Sequence, residues 1–259
     1  MIERLKQLAP IPDLTEASRY LFVGPHPDDI EVGTGSFVAK LAEMGKTIDY
    51  VVVTDGGAGE NLKSTSGKDI CDVREQETKD AVEKMNVNEL CMLGYEDGTE
   101  YNTHDVARDI AKKILKWNPD VIFCPDPTLA SECHPDHIKT GWAVRTAVLM
   151  ASYPAMLKRN DIFHSKEQED HIRQRVIVHY FTDKDNKYEP VGENDMMRMK
   201  EAIGMHKSQF PPGEPLETLF AYLEVKHRMW GKEIDKERAA GFFVLAPVHQ
   251  HCFPDILNY

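Results

Sequence analysis

Residues 19–36 read RYLFVGPHPDDIEVGTGS, and the break after Val23 decides the fold. "RYLFVG" (19–24) is a short apolar run closing on glycine. A histidine, a proline and two aspartates then crowd one turn before the apolar spacing becomes helical. A buried run that closes on turn chemistry reads as a strand of a parallel sheet, and the helix after it as the crossover to the next strand. The same change of period recurs at "IDYVVVTDGG" (48–57), "ELCML" (89–93), "DVIFCPD" (120–126) and "RVIVHYF" (175–181). Amphipathic stretches lie at 36–44, 72–85, 104–117, 137–151 and 193–207. This alternation predicts an α/β fold, a Rossmann-like, mostly parallel sheet with helices on both faces. No repeat or low-complexity linker divides the chain, so residues 1–259 are read as a single domain, α-rich after about residue 190.

The formal net charge of −12 argues against nucleic acid or an anionic membrane as a partner, since both reward clustered Lys and Arg. The longest apolar runs, "VIFC" and "FFVLA", fall far short of the roughly 20 residues that span a bilayer. "MIERLKQLAPIPDL" lacks the apolar region of a signal peptide, which predicts a cytoplasmic protein. The five cysteines are an odd number without a CxxC, which predicts free thiols in a reducing compartment. Cys133, beside His134, is read as an ordinary thiol.

A second stretch, "SECHPDH" (131–137), repeats the His-Pro-Asp order after another strand. Ligand crevices of open parallel sheets lie beyond the carboxyl ends of the strands, so both turns belong at one edge. Proline is favoured at the first helical position, which predicts Pro27 and Pro135 there and His26 and His134 at the caps. Asp29 and His137, three residues further on, then point back along the first turn. Either motif alone reads equally well as a capped helix start. Written twice at strand ends, they gather His26, Asp28, Asp29, His134, Asp136 and His137. Three such donors and one open position suit a catalytic zinc, and a carboxylate that does not bind metal suits a general base. The pattern does not by itself divide the six into ligands and acids. It also leaves open a two-metal phosphoesterase and a closed, non-catalytic metal- or sugar-binding module.

Other features read more simply. "GTGS" (33–36) and "GGAG" (56–59) are tight turns, since neither completes a phosphate loop. "NDMMRMK" is packing, and "GKEIDKERAAG" (231–241) is a solvated helix with i,i+4 charge pairs. The polar segment 152–174 is an excursion expected to border an active site. His249 and His251 alternate as in a strand.

These motifs resemble the PIG-L/LmbE superfamily of zinc-dependent N-deacetylases, which carry a (P/A)HPDD turn after the first strand and an HxDH turn after a later one. "VVVTDGGAG", "VREQETKDAVEKMNV", "LGYEDG" and "MKEAIGMHKSQF" fit the family's other segments in order, over roughly residues 19–210. "PDPTLASECHPDHIKTG", "HKSQFP" and "GFFVLAPVHQHCFPD" are most similar to its diacetylchitobiose deacetylase branch. The resemblance implies a three-layer LmbE-like sandwich that hydrolyses N-acetyl groups of GlcNAc sugars. It implies one Zn2+ per chain, or Fe2+, held by His26, Asp29 and His137, with Asp28 as general base. His134 would stabilise the oxyanion and is also placed to protonate the leaving amine. Arg74 and Asp97 would hold the sugar, Asp136 would support a histidine ligand, and His206 would face the pocket. His251 would line a substrate pocket, its own or a neighbour's, in a homo-oligomer that is hexameric in this branch. An N-acetylglucosaminyl-malate deacetylase is the alternative within the family. The sequence departs from the common pattern where Ile30 rather than Glu follows HPDD.

Overall fold

The computed structural model describes residues 7–59 and 69–251. One sheet of seven strands runs through it, in the order β3-β2-β1-β4-β5-β7-β6. The first five are β1 (Arg19–Gly24), β2 (Thr47–Thr54), β3 (Glu89–Tyr95), β4 (Val121–Pro125) and β5 (Val176–Tyr180), all mutually parallel. β7 (Ala239–Leu245) joins β5 antiparallel, and β6 (Lys187–Pro190) completes the edge antiparallel to β7. Strands and helices alternate through α1 (Asp29–Glu43), α2 (Ile70–Met85), α3 (Thr103–Trp117) and α4 (Pro135–Met150). The short α5 (Pro154–Arg159) follows, then α6 (Glu193–Ile203) and α7 (Glu214–Lys232).

Every β1 side chain after Arg19 is buried, and successive residues feed opposite cores because strand side chains alternate. Tyr20 and Phe22 pack with Phe37 and Leu41 of α1, Met85 of α2, and Met196 and Met199 of α6. Leu21 and Val23 pack with Ile110 and Ile114 of α3 and Val144 and Val148 of α4. Burial on both faces is what makes these strands continuous apolar runs. Close approach is needed where α4 crosses β4: a Cβ on Gly141 would lie 2.6 Å from the Pro125 carbonyl oxygen.

Residues 231–241 are not a helix. α7 stops at Lys232, Asp235 takes a left-handed φ of 54°, and Ala239 opens β7. The i,i+4 charges describe a turn here because Gly231 lets the chain fold back on itself, with a Cβ there only 2.6 Å from the Lys236 carbonyl oxygen. The C-terminal part therefore holds two strands as well as its two helices. The 152–174 excursion leaves the end of α4 and returns to the start of β5. Its short 3-10 helix, Lys166–His171, rests on the C-terminal end of α3, where Gln168 Nε2 donates to Leu115 O at 3.3 Å. That is the edge of the sheet away from the His-Pro-Asp turns, so the excursion does not border them. The described cysteines, Cys71, Cys91, Cys124 and Cys133, are free, and Cys252 lies outside the described residues. Among the described residues no helix is long and apolar enough to cross a membrane.

Two buried histidines make stability depend on pH. His179 on β5 faces Pro125 O through Nδ1 at 3.2 Å, while its Nε2 accepts from Arg145 Nε at 3.1 Å. His227 on α7 faces Leu223 O through Nδ1 at 2.7 Å and Ser36 Oγ through Nε2, also at 2.7 Å. Burial, with Arg145 adding to it, pushes His179 down to about 3. Burial likewise pushes His227 down to about 4. Above the ordinary histidine value both rings are neutral folded or unfolded, and the contribution is intact. Below it only the unfolded chain takes up the protons, so the contribution of each ring falls between about pH 6.5 and pH 4, by up to ~1.4 kcal/mol per pH unit. Asp28 and Asp49, both raised chiefly by burial, act with the opposite sign over the same range, so the rings are read by comparison. On going from pH 6.5 to pH 4.5 the urea midpoint is expected to fall further, or rise less, in the unaltered protein than in His227→Gln, and equal changes in both contradict the assignment.

Candidate active site

The strand order reverses between β1 and β4, and an open α/β sheet splays into a crevice at such a point. β1 delivers residues 25–29 to one side of it, and the loop after β4 delivers residues 131–137 to the other. Pro135 is the first residue of α4 and His134 its cap, as the sequence predicts. The first turn differs. Asp28 adopts φ 115° and ψ −28°, and α1 starts only at Asp29, so Pro27 is not a first helical residue and His26 is not a cap. The turn closes instead through Asp29, whose Oδ2 accepts the His26 backbone N–H at 2.9 Å. A non-glycine residue held in this region costs on the order of 1–3 kcal/mol.

The two turns meet. Asp29 Oδ2 lies 3.0 Å from His26 Nδ1, and Asp29 Oδ1 lies 3.4 Å from His137 Nε2. One donor atom from each of His26, Asp29 and His137 falls within 4.8 Å of the other two. The far side of each ring is also backed by carboxylates. His26 Nε2 sits 3.1 Å from Asp97 Oδ1 and 3.4 Å from Asp136 Oδ2. Glu132 Oε2 lies 3.0 Å from His137 Nδ1, and Glu132 Oε1 accepts the His134 backbone N–H at 2.8 Å. Carboxylates behind imidazoles in this way fix the orientation and basicity of metal-binding histidines.

The electrostatics ask for a cation. Burial alone would lower His26, but its hydrogen bonds with Asp136, Asp29 and Asp97 outweigh that and push the ring up to about 12. Asp29 is drawn far below the ordinary carboxylate range by His137 and His26, against the opposing effect of burial. Asp28 moves the other way, raised by burial and by the charge of Asp29. The carboxylates thus surround a point where positive charge is strongly favoured. Two imidazoles and one carboxylate beside a pocket are the donor chemistry of a catalytic divalent ion such as zinc. A second grouping, His26, Asp97, His134 and Asp136, shares His26 and is accounted for by the carboxylates behind that ring. Cys133 belongs to neither.

His134 is different in kind. Its Nδ1 accepts the Asp136 backbone N–H at 3.3 Å as the cap of α4, which leaves Nε2 as the N–H. Burial, and then His26 and His137, lower its pKa. A helix N-terminus favours the same neutral ring. His134 is therefore an uncharged hydrogen-bond donor at the mouth of the site, with its side chain 44% exposed.

A cavity of about 210 Å³ opens beside the cluster, lined by His26, Asp28, Asp97, His134, Arg74 and Gln209, with Ala58 and Gly59. Arg74 and Asp97, which the resemblance assigns to the sugar, both line it and are both engaged within the protein. Asp97 Oδ1 contacts His26, and Asp97 Oδ2 accepts the Ala58 N–H at 3.1 Å. Asp136, expected to support a histidine ligand, lies against His26 Nε2. His206 does not face the cavity. α6 ends at Ile203 rather than continuing to 207, and the turn that follows, closed by His206 N donating to Ile203 O, carries the ring wholly inside, 3.5 Å from Glu31 Oε2. Gln209, in the same "HKSQ" segment, reaches the cavity instead, and Glu132 is the other residue that the sequence did not single out. Both stand within motifs already marked, which was the available signal.

His251 is remote from the cluster within its own chain. It lines another cavity, of about 320 Å³, with Leu149, Ile177 and Pro247 near the amino ends of the strands. His249 and His251 do not share a strand face: 247–249 is a single 3-10 turn, with His249 buried against the Ala9 carbonyl and His251 exposed.

Residues 21–148 match the PIG-L family, described as GlcNAc-PI de-N-acetylase. The diacetylchitobiose deacetylase of Thermococcus kodakarensis is 30% identical over 240 residues, 92% of this chain and 87% of that protein. A probable N-acetyl-alpha-D-glucosaminyl L-malate deacetylase 2 of Bacillus cereus is 34% identical over 135 residues, 49% of this chain and 60% of that one. The solved structure of N,N'-diacetylchitobiose deacetylase from Pyrococcus horikoshii, in complex with its inhibitor, superposes with a TM-score of 0.83 at 28% identity, covering 98% of this chain and 94% of that one. A sheet that reverses between β1 and β4, paired His-Pro-Asp turns meeting there, and a relative matched along nearly its whole length together place this chain in the PIG-L family of deacetylases.

Proposed function

We propose that the protein removes the acetyl group from an N-acetylglucosamine unit of a chitin-derived sugar, diacetylchitobiose or one like it, with one zinc ion held by His26, Asp29 and His137. The observation that carries this reading is the convergence of those three donors beside a pocket that Asp28 also lines. Zinc, when bound there, supplies the Lewis acidity that lowers the pKa of water from about 15.7 towards 7 and polarises the amide carbonyl.

The chain's own residues do the rest. Asp28 takes a proton from the attacking water, a task its raised pKa suits near neutral pH. The neutral His134 donates its Nε2–H to the oxyanion as the carbonyl carbon becomes tetrahedral. A ring whose Nδ1 accepts a backbone N–H has no proton to spare for the amine. Asp28 therefore returns the proton it took to the departing nitrogen as the C–N bond breaks, leaving acetate and a free amino sugar. Asp97, Asp136 and Glu132 keep the ligand histidines in place. The reading extends to a homo-oligomer in the cytoplasm, where His251 serves a neighbouring subunit's pocket.

Acetate release from GlcNAc, diacetylchitobiose and GlcNAc-malate, with metal content measured on the same preparation, tests this. Turnover of diacetylchitobiose, abolished by a chelator and accompanied by one zinc per chain, is expected. Preference for GlcNAc-malate would move the assignment to an N-acetylglucosaminyl-malate deacetylase, and no acetate from any of the three would overturn it.

A further inference from the structure

The resemblance gives Arg74 to the sugar, but its hydrogen bonds lead elsewhere. Arg74 is 4% exposed. Nη1 donates to Gly56 O at 2.9 Å, and Nη2 donates to Pro27 O at 2.7 Å and to Asp28 Oδ2 at 3.1 Å. The guanidinium thus joins the turn after β2 to the turn after β1, at the one residue of the first motif whose backbone is left-handed. The turn after β2 is shaped to admit it. A Cβ on Gly56 would lie 2.9 Å from Arg74 Cζ, and one on Gly59 would lie 2.5 Å from Nη1. A left-handed aspartate persists only where its surroundings over-determine it, and these contacts hold both its backbone neighbour and its side chain.

We propose that Arg74 is a positioning residue. It clamps the 27–28 peptide and the Asp28 carboxylate so that the base is held in its strained conformation against the reacting water. The catalytic part of this rests on Asp28 being the base; the clamp itself does not. Three acceptors on two loops need the fork of an arginine, and one ammonium cannot span them.

Two experiments test it. In Arg74→Lys, which keeps the charge, kcat for the best substrate of the acetate panel is expected to fall ~10²-fold, the scale of a small misplacement of a reacting group, with KM within about threefold and zinc content unchanged. Guanidinium ion added to Arg74→Ala should restore part of kcat. A rise in KM at constant kcat would return Arg74 to the sugar and overturn the proposal. The second experiment needs no substrate. Arg74→Gln should lower Tm clearly when residue 28 is Asp and much less in an Asp28→Gly background, where glycine takes the left-handed backbone without strain. Equal shifts in both backgrounds would show that Arg74 does not hold Asp28, whatever the reaction proves to be. Unequal shifts with no acetate released would keep the clamp and remove only the deacetylase reading.

Discussion

Asp28→Asn is expected to lower kcat by roughly 10²–10⁴-fold, the range over which a positioned general base acts, while one metal ion per chain stays bound. The substitution is clean for structural reasons. Asparagine is among the few residues that tolerate a positive φ, so the 115° backbone of position 28 survives. Its amide oxygen can still accept from Arg74 Nη2, which reaches the carboxylate at 3.1 Å. The capacity to take up a proton is what disappears. Asp28 does not belong to the group of three metal donors, so metal content, measured by elemental analysis on the sample used for kinetics, should not change. Loss of the metal along with activity would show that residue 28 is a ligand, and a fall of less than tenfold would remove it as the base.

The residue next to it should behave in the opposite way. Asp29→Ala is expected to lose both metal and turnover. Asp29 uses both oxygens at the site, Oδ2 towards His26 at 3.0 Å and Oδ1 towards His137 at 3.4 Å. It is the only carboxylate among the three donors, and without it two imidazoles are the only donors left. Removing an outer partner of a metal ligand costs roughly 10–100-fold in affinity. Removing a ligand should cost more, as read by competition with a chromophoric chelator. Asp29 Oδ2 also accepts the His26 backbone N–H at 2.9 Å, so a folding defect could mimic ligand loss. Asp29→Asn keeps an acceptor for that N–H and should still lose affinity. Retention of tight metal binding in Asp29→Asn would contradict the ligand assignment. Neighbours with opposite outcomes, metal kept in one and lost in the other, follow from the left-handed turn that sends their side chains to different tasks.

Much of this frame was legible in the chain. The runs that became β1 to β5 are apolar on both faces, as parallel strands covered by helices must be. The strands that went unread, β6 and β7, break that pattern. β6 is a four-residue strand ending on Pro190, and the opening of β7 at Ala239 follows a run of charges with helical spacing that turned out to be a reversal. Propensity is weak where a single glycine contact, here Gly231 against Lys236, redirects the chain.

What the sequence by itself determined was the set of reactive groups and the edge of the sheet that holds them, because period and turn chemistry are local properties of neighbouring residues. Local rules also placed His134 as a helix cap. They failed at Asp28, whose left-handed backbone is held by Arg74, 46 residues away, and at His206, turned inward when α6 ended early. Only the tertiary structure could bring His137 to Asp29, surround His26 with Asp97 and Asp136, engage Arg74 within the protein and leave Gln209 facing the pocket. Those outcomes are set by which backbone and side-chain groups meet across the crevice between β1 and β4, and burial there leaves each charge the choice of a partner or a shifted pKa.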